Sequence, residues 1–211
     1  MRAAPAAPAT GIRQMREPLL LAVFFVSGGS ALVYQVAWQR LLFVAFGVDV
    51  ESITIIVSTF MLGLGLGALL GGQLADRHGR RLIELFALCE SGIGLFGLAS
   101  PTLIPAVGEA FMAYSLPVIA LVNFLLILIP TTLMGATLPM LVAYLFRSHA
   151  SVGLSIGNLY LANTFGAAAG ALATGLVLFL FLTLNQAIYL AAAGNFLVVA
   201  LVLLGSRRSQ P

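Results

Sequence analysis

One carboxyl group lies inside a long apolar stretch of this sequence and is the first candidate for chemistry. Glu90 falls within residues 82–100, a run that is otherwise mostly apolar or small. An ionisable group in such a run is costly, and its usual roles are to bind an ion, relay a proton or pair with a neighbouring segment. A carboxyl group there can bind a cation or pass protons. Glu90 is therefore the leading candidate for a binding or relay site.

Other polar residues fall at a similar depth. Counting about 1.5 Å per residue from the arginine-rich ends of the apolar runs places Glu90, Asn163 and Asn195 at about 13–16 Å. We expect Asn163 or Tyr160 to hydrogen-bond Glu90. Two interpretations remain open, a functional carboxyl group in a cavity and a neutral acid that only ties helices together. The candidates for a substrate or proton site are Glu90, Asn158, Tyr160, Asn163 and Asn195.

Several kinds of chemistry have no matching pattern. The sequence has no Ser/His or Cys/His arrangement, no HExxH motif and no paired carboxylates, so we expect no enzyme, no metal site and no cofactor. The one cysteine, Cys89, lies in an apolar run and is expected to be a structural thiol. All ten basic residues are arginines at the ends of apolar runs, which favours membrane topology over nucleic-acid binding.

The composition indicates a membrane protein, with 61% hydrophobic and 8% charged residues. Runs long enough to cross a bilayer, roughly 20 residues each, occur at 18–45, 52–75, 82–100, 118–146, 152–181 and 186–205. They predict an all-α membrane protein with six transmembrane helices in residues 18–205. Residues 1–17 are expected to be a disordered basic tail and 206–211 a C-terminal tail. The connection at 101–117 is predicted to be the longest loop, with a short interfacial helix.

Arginine placement predicts the orientation. Six spans put nine of the ten arginines on one side, and Arg40 is the exception. Since cytoplasmic flanks are rich in arginine, both termini of this multi-pass protein should be cytoplasmic, in a bacterial inner membrane. A cleaved signal peptide is the alternative for the first span, but its apolar pattern resumes through ALVYQVAW.

Glycines recur at a spacing of four in two spans. Gly63, Gly67 and Gly71 lie on one face of the second span, which lets another helix backbone approach closely. The fifth span repeats the device with two sets, Gly153/Gly157 and Gly166/Gly170/Thr174. The second and fifth spans are therefore expected to be the tightly packed ones.

The first and fourth spans contain potential helix breaks. Gly28 and Gly29 lie in the first, and Pro130, Gly135 and Pro139 in the fourth. Matching breaks fit two inverted three-helix repeats with a binding site near the broken helices. Kinks that serve only packing are the alternative.

The turn after the second span has a recognisable pattern. Residues 72–81 read G-x-L-A-D-R-x-G-R-R, which resembles the signature loop between helices two and three of the major facilitator superfamily. The resemblance implies a charge network that latches the two halves of a transporter, carried by Gly72, Asp76, Arg77, Gly79, Arg80 and Arg81. The alternative is a solvated basic turn that fixes topology alone.

A wider resemblance covers nearly the whole chain. The segments SGGSALVYQVAWQRLL (27–42), PTTLMGATLPMLVAYL (130–145) and SIGNLYLANTFGAAAGAL (155–172) resemble the membrane region of bacterial proteins that fuse a major-facilitator-like six-helix unit to a spermidine synthase-like domain. The resemblance implies half of a major facilitator bundle with a link to polyamines. It also includes a Y-Q/E-x-x-W-x-R pattern, here Tyr34, Gln35, Trp38 and Arg40. Arg40 can pair with Asp49 or Glu51 as an outer gate, whereas Tyr34 and Trp38 are expected to be interfacial anchors.

The chain also departs from that family. The α/β domain that aminopropyl transfer needs is not in the sequence, and neither is a second six-helix half. We therefore expect a transporter of a small, polyamine-like cation that acts as a homodimer or with a partner. The alternative is a non-transporting module in the lipid bilayer that anchors or regulates a separately encoded synthase-like enzyme.

Overall fold

Six long helices make up most of the chain that the structure describes. The computed structural model describes residues 17–46, 49–111, 113–148 and 152–207, and the regular structure in those ranges is entirely helical. The helices are α1 (Glu17–Phe46), α2 (Asp49–Arg77), α3 (Leu82–Ala110), α4 (Leu116–Ser148), α5 (Val152–Ala173) and α6 (Leu184–Arg207). Each belongs to a span long and apolar enough to cross a bilayer. The predicted all-α architecture with six helices long enough to span a membrane is confirmed. Of the predicted tails at 1–17 and 206–211, Glu17 and residues 206–207 belong to helices, and the rest lies outside the described residues.

The end of the fifth span departs from α-helical geometry. A π-helical turn, Thr174–Leu178, follows α5 directly, and a short helical segment, Phe179–Phe181, completes the span. The buried hydroxyl of Thr174 donates to the carbonyl of Gly170 at 2.7 Å. Such a turn contains one residue more than an α-helical turn, and it commonly lies at functional sites.

The predicted loop at 101–117 is wrong, because α3 continues through both prolines to Ala110. Pro101 has no N–H, so the carbonyl of Gly97 loses its usual helical donor. The hydroxyl of Ser100 lies 2.9 Å from that carbonyl and donates to it. Since Pro101 and Ile104 are also buried, packing holds this stretch helical.

The predicted breaks in the first and fourth spans are wrong as well, since α1 and α4 are continuous helices. In α4, Thr131 and Thr132 follow Pro130 and donate to carbonyls of the preceding turn. The distances are 2.9 Å from Thr131 to Ile127 and 2.7 Å from Thr132 to Leu128. Hydroxyl groups of this kind are one reason why membrane helices tolerate proline.

The helices pack as defined pairs. The most extensive contacts join α2 to α4 and α1 to α5, and α3 packs on α6 and α4 while α1 packs on α6. Helices α2 and α5 are the least enclosed. Buried residues make up 28% of the most apolar stretch of α2 and 17% of that of the fifth span, against 44% in α1 and in α3.

Glycines line the two closest pairs. A Cβ atom added at Gly67 would overlap the backbone of α4 at Thr132 and Gly135, and one at Gly71 would overlap Ala136. In the other pair, a Cβ at Gly166 would overlap the backbone of Phe25, and one at Gly170 that of Gly29. The backbones therefore approach closely in both pairs.

The predicted close packing also includes the two glycines near the start of the fifth span, Gly153 and Gly157. Gly157 faces open space, so the prediction that it packs closely is wrong. The surroundings of Gly153 lie outside the described residues. The close contacts of the fifth span therefore belong to its middle, around Gly166 and Gly170.

Two apolar clusters fill the bundle. One includes Leu20, Phe24, Phe86, Leu141 and Val202, and we call its side the arginine-rich end because the α2–α3 turn and Arg147 lie there. The other cluster, toward the opposite end, includes Tyr34, Trp38, Phe60, Ile104 and Ile127. Cys89 is buried beside Ala136 and Met140.

Replacing Gly67 with alanine tests the close approach of α2 to α4. The new methyl group meets fixed backbone, and overpacking of this kind costs about 1–3 kcal/mol. We expect a lower thermal unfolding midpoint in detergent, whereas Gly65→Ala on the same helix, which faces open space, should leave the midpoint unchanged or raise it slightly. Equal midpoints for the two variants would contradict the packing described here.

Candidate functional site

Glu90 lies between the two apolar clusters. It stands eight residues after Leu82, the first residue of α3, which places it about 12 Å along the helix. Its side chain is fully buried, with Phe86 and Ile93 as the buried apolar residues about a turn away on either side. A carboxyl group in this position has no water to bond and must find its partners among neighbouring helices.

Two side chains supply those partners. Ser27 on α1 donates its hydroxyl to Oε1 of Glu90 at 2.6 Å, and Asn195 on α6 donates Nδ2–H to Oε2 at 2.7 Å. Tyr34 extends the network by donating its hydroxyl to Oδ1 of Asn195 at 3.0 Å. The prediction that Asn163 or Tyr160 bonds Glu90 is wrong, because the hydrogen bonds to its carboxyl group come from Ser27 and Asn195.

Short side chains reach Glu90 because α1 and α6 approach closely here. A Cβ atom added at Gly194 would overlap the hydroxyl of Ser30. Without it, α6 comes close enough to α1 for both Ser27 and Asn195 to contact the same carboxyl group on α3. Gly194, adjacent to Asn195, therefore lies directly against the hydroxyl of Ser30 on α1.

A cavity of about 440 Å³ lies beside this network. Its walls come mainly from α1, α2, α4 and the fifth span, between the α1–α5 pair and the α2–α4 pair. The polar lining residues are Ser27, Gln35, Thr137, Tyr160, Asn163, Thr164 and Asn195, and the larger apolar ones are Phe24, Phe60, Met61, Leu64, Ile93, Met134 and Leu138. Its size and mixed lining suit a small organic ligand.

The structure separates the polar residues predicted at the membrane midplane. Tyr160, Asn163 and Asn195 line the cavity, whereas Glu90 lies directly behind Ser27 and Asn195 and does not line it. Asn158 lies in a different groove, with Leu21 and Phe25. Only part of the predicted set therefore shares one site.

The outer aromatic residues are internal. Tyr34 and Trp38 are fully buried and stacked, with ring centroids 4.8 Å apart. The Trp38 indole N–H donates to Oγ of Ser100 at 2.9 Å. Their predicted role as interfacial anchors is wrong, because burial in the bundle gives both polar tips a protein partner rather than a headgroup.

Arg40 interacts with an aromatic ring. Its guanidinium carbon lies 4.3 Å from the ring centroid of Phe179, just after the π-helical turn. This contact joins the exposed end of α1 to the fifth span and is worth about 0.5–1 kcal/mol at an exposed position. The side chains of Asp49 and Glu51 lie outside the described residues, so the predicted outer gate stays a prediction.

The arginine-rich turn between α2 and α3 is largely exposed. Arg147 at the end of α4 lies against Gly79, in the space that a side chain would fill. Arg81 and Glu84 are exposed and 4.0 Å apart. Asp76 is exposed and forms no ion pair with the residues that the structure describes. Gly72 faces open space, and the latch role of the loop stays a prediction.

The sequence reasoning missed Ser27 and Ser100. Ser27 lies at the depth of Glu90, but it adjoins Gly28 and Gly29, and the sequence pattern of those glycines indicates a helix break or a packing contact. Within the described ranges, no group of three His, Cys, Asp or Glu residues is placed to hold a metal ion.

The chain resembles a larger protein over most of its own length. It is 29% identical over 216 aligned residues to polyamine aminopropyltransferase 1 of Streptomyces coelicolor, and the match covers 90% of the chain but 39% of that protein. The chain thus spans about two fifths of the length of this curated relative. No protein-family model matches the chain. No solved structure matches it either.

Removing the carboxyl group should destabilise the bundle. Glu90→Leu leaves the hydroxyl of Ser27 and Nδ2 of Asn195 without an acceptor, and each orphaned buried donor costs about 1–3 kcal/mol. We expect a clearly lower unfolding midpoint in detergent, with Glu90→Gln intermediate because its amide retains an acceptor. Glu84→Leu, at the exposed start of the same helix, should change the midpoint little. Similar midpoints for the Glu90→Leu and Glu84→Leu variants would contradict the network.

Proposed function

We propose that this chain is half of a transporter, which pairs with a second copy or with another membrane protein to move a small solute. A polyamine-like cation is the first candidate solute. The observation that carries the proposal is the cavity between the two glycine-lined helix pairs. Its lining includes three side-chain amides, three hydroxyl groups and a phenol.

The polar lining argues for a second protein surface over this side of the bundle. Lipid tails offer no hydrogen bonds, so polar groups at membrane depth need protein or trapped water around them. The helices at the rim, α2 and α5, are also the least buried of the six. At that rim Met61 and Tyr160 are 62% and 60% exposed. A second six-helix unit over this face would enclose the cavity.

The helix pairing supports two inverted three-helix repeats. Exchanging α1 with α4, α2 with α5 and α3 with α6 converts the α1–α5 contact into the α4–α2 contact, and α3–α4 into α6–α1. Because α1 begins at the arginine-rich end and α4 begins at the opposite end, the exchange reverses direction across the membrane. Inverted repeats of this kind are common in secondary transporters, with the solute site at the repeat interface.

The charges support the cytoplasmic orientation of the arginine-rich end in a bacterial inner membrane. Arg77, Arg80, Arg81 and Arg147 lie at that end, and cytoplasmic flanks are rich in arginine. Asp76 is exposed there, and its lack of an ion pair within the described residues leaves it available to a second half. We therefore assign Asp76 the latch role and Arg77, Arg80 and Arg81 the role of its local cations.

A second candidate is a membrane module that anchors or regulates a separately encoded synthase-like enzyme. The similarity to a protein named as an aminopropyltransferase favours it. The described residues are mainly helical and contain no α/β domain.

Oligomeric state distinguishes these candidates. In lipid nanodiscs, native mass spectrometry should report a particle of twice 22.1 kDa that binds added spermidine. Met61→Cys, at the cavity rim, should form disulfide-linked dimers, whereas Leu88→Cys on the exposed face of α3 should not. A monomer that does not bind spermidine would overturn the homodimeric half-transporter, and only the candidates that need a different protein would remain.

Uptake tests the part played by Glu90. In proteoliposomes, Glu90→Gln should lower spermidine uptake by at least about tenfold, which corresponds to about 1.4 kcal/mol of lost stabilisation. Ser91→Ala is the matched control, because Ser91 adjoins Glu90 but its hydroxyl bonds the carbonyl of Ala87 in its own helix. Unchanged uptake by a folded Glu90→Gln variant would leave Glu90 a structural role alone.

A further inference from the structure

Three hydroxyl groups that line the cavity donate their hydrogen bonds to other groups of the protein. Ser27 donates to Glu90 at 2.6 Å, Thr137 to the carbonyl of Met134 at 2.7 Å and Thr164 to the carbonyl of Tyr160 at 2.9 Å. A hydroxyl group has one proton and two lone pairs. These three can therefore only accept hydrogen bonds from a ligand.

When ionised, the carboxyl group of Glu90, behind this part of the cavity wall, has the negative charge that a cationic ligand needs. Glu90 lies behind Ser27 and Asn195, and both residues that bond its carboxyl group are neutral. The cavity lining contains no arginine, and the sequence contains no lysine. Within the residues that the structure describes, no cation of the protein balances the charge of an ionised Glu90. An acceptor-rich surface in front of a carboxylate suits a cation that also donates hydrogen bonds.

The rest of the cavity lining is mostly apolar and suits a ligand with an aliphatic chain. Phe24, Phe60, Met61, Leu64 and Met134 supply most of the apolar wall. Aliphatic carbon can pack there while a charged head faces Ser27 and Asn195. The remaining polar groups, the amides of Gln35 and Asn163 and the phenol of Tyr160, can either donate or accept.

We infer that the cavity is a subsite for a primary alkylammonium group, recognised through its N–H donors by Ser27, Thr137 and Thr164 with Glu90 as the counter-charge. Because these three hydroxyl groups can only accept hydrogen bonds, the cavity should prefer a primary ammonium over a quaternary ammonium, which has the charge but no N–H to donate. A neutral alcohol has a donor but no charge. This inference rests on the proposed function only in taking the cavity as the solute site.

Equilibrium binding tests the inference separately from transport. The wild-type protein in nanodiscs is titrated in a calorimeter with butylammonium, butyltrimethylammonium and 1-butanol. We expect butylammonium to bind at least about tenfold more tightly than either analogue, since a hydrogen bond to a charged group is worth about 1.5–3 kcal/mol. Equal affinity for butylammonium and butyltrimethylammonium would overturn the inference, as would the absence of butylammonium binding at millimolar concentrations.

Matched variants identify the recognising groups. Glu90→Gln should weaken butylammonium binding at least about tenfold and leave 1-butanol binding unchanged. Thr137→Val retains the side-chain shape and should weaken butylammonium binding several-fold. Thr132→Val is the control, because Thr132 is on the same helix and bonds its own backbone, but it does not line the cavity. If Glu90→Gln does not fold, the comparison of Thr137→Val with Thr132→Val tests the inference. Equal butylammonium affinities of these two variants would overturn it.

The outcomes also separate the two proposals. Selective butylammonium binding without uptake in proteoliposomes would overturn transport and retain the subsite. Uptake of spermidine without selectivity for N–H donors would overturn the subsite and retain transport.

Discussion

A buried carboxyl group in a medium without water is the constraint on which this structure depends. Both oxygens of Glu90 need donors, and these come from two other helices, Ser27 on α1 and Asn195 on α6. Tyr34 then bonds Asn195, which ties the stacked Tyr34–Trp38 pair to the same network. One polar centre thereby sets the relative depth of three helices between two apolar clusters that have no directional preference of their own.

Close backbone contact is the second organising feature, and it acts on the other side of the bundle. Gly67 and Gly71 bring α2 onto α4, while Gly166 and Gly170 bring α5 onto α1. Without side chains between the backbones, each pair is held by packing at short range, which is the usual basis of helix association in membranes. The space between the two pairs remains as the cavity, and its lining includes two other glycines, Gly28 and Gly135.

The sequence predicts the helices much better than the site, for physical reasons. Length and apolar content are local properties, so the six spans and most of their bounds can be read directly. The continuation of α3 past Pro101 depends on the burial of Pro101 and Ile104. The burial of Trp38 depends on its hydrogen bond to Ser100 of α3, and both are tertiary contacts. The partners of Glu90 depend on helix rotation. Depth along the helix axis correctly placed Asn195 near Glu90. It could not show that Ser27 rather than Asn163 bonds Glu90, because the two residues lie at a similar depth and only the rotation of their helices separates them.

The π-helical turn at Thr174–Leu178 gives the fifth span two angular registers. Residues before it follow the glycine face that contacts α1, and residues after it are rotated by about 100°, the angle of one α-helical residue. Phe179 reaches Arg40 in this shifted register. Because such a turn absorbs one extra residue, loss of a single codon within it would leave a uniform α-helix with Phe179 still facing Arg40. A turn that became α-helical at unchanged length would instead rotate Phe179 away from α1. In this stretch the contact between Phe179 and Arg40 therefore depends on the geometry of the turn and can survive the loss of one residue from it.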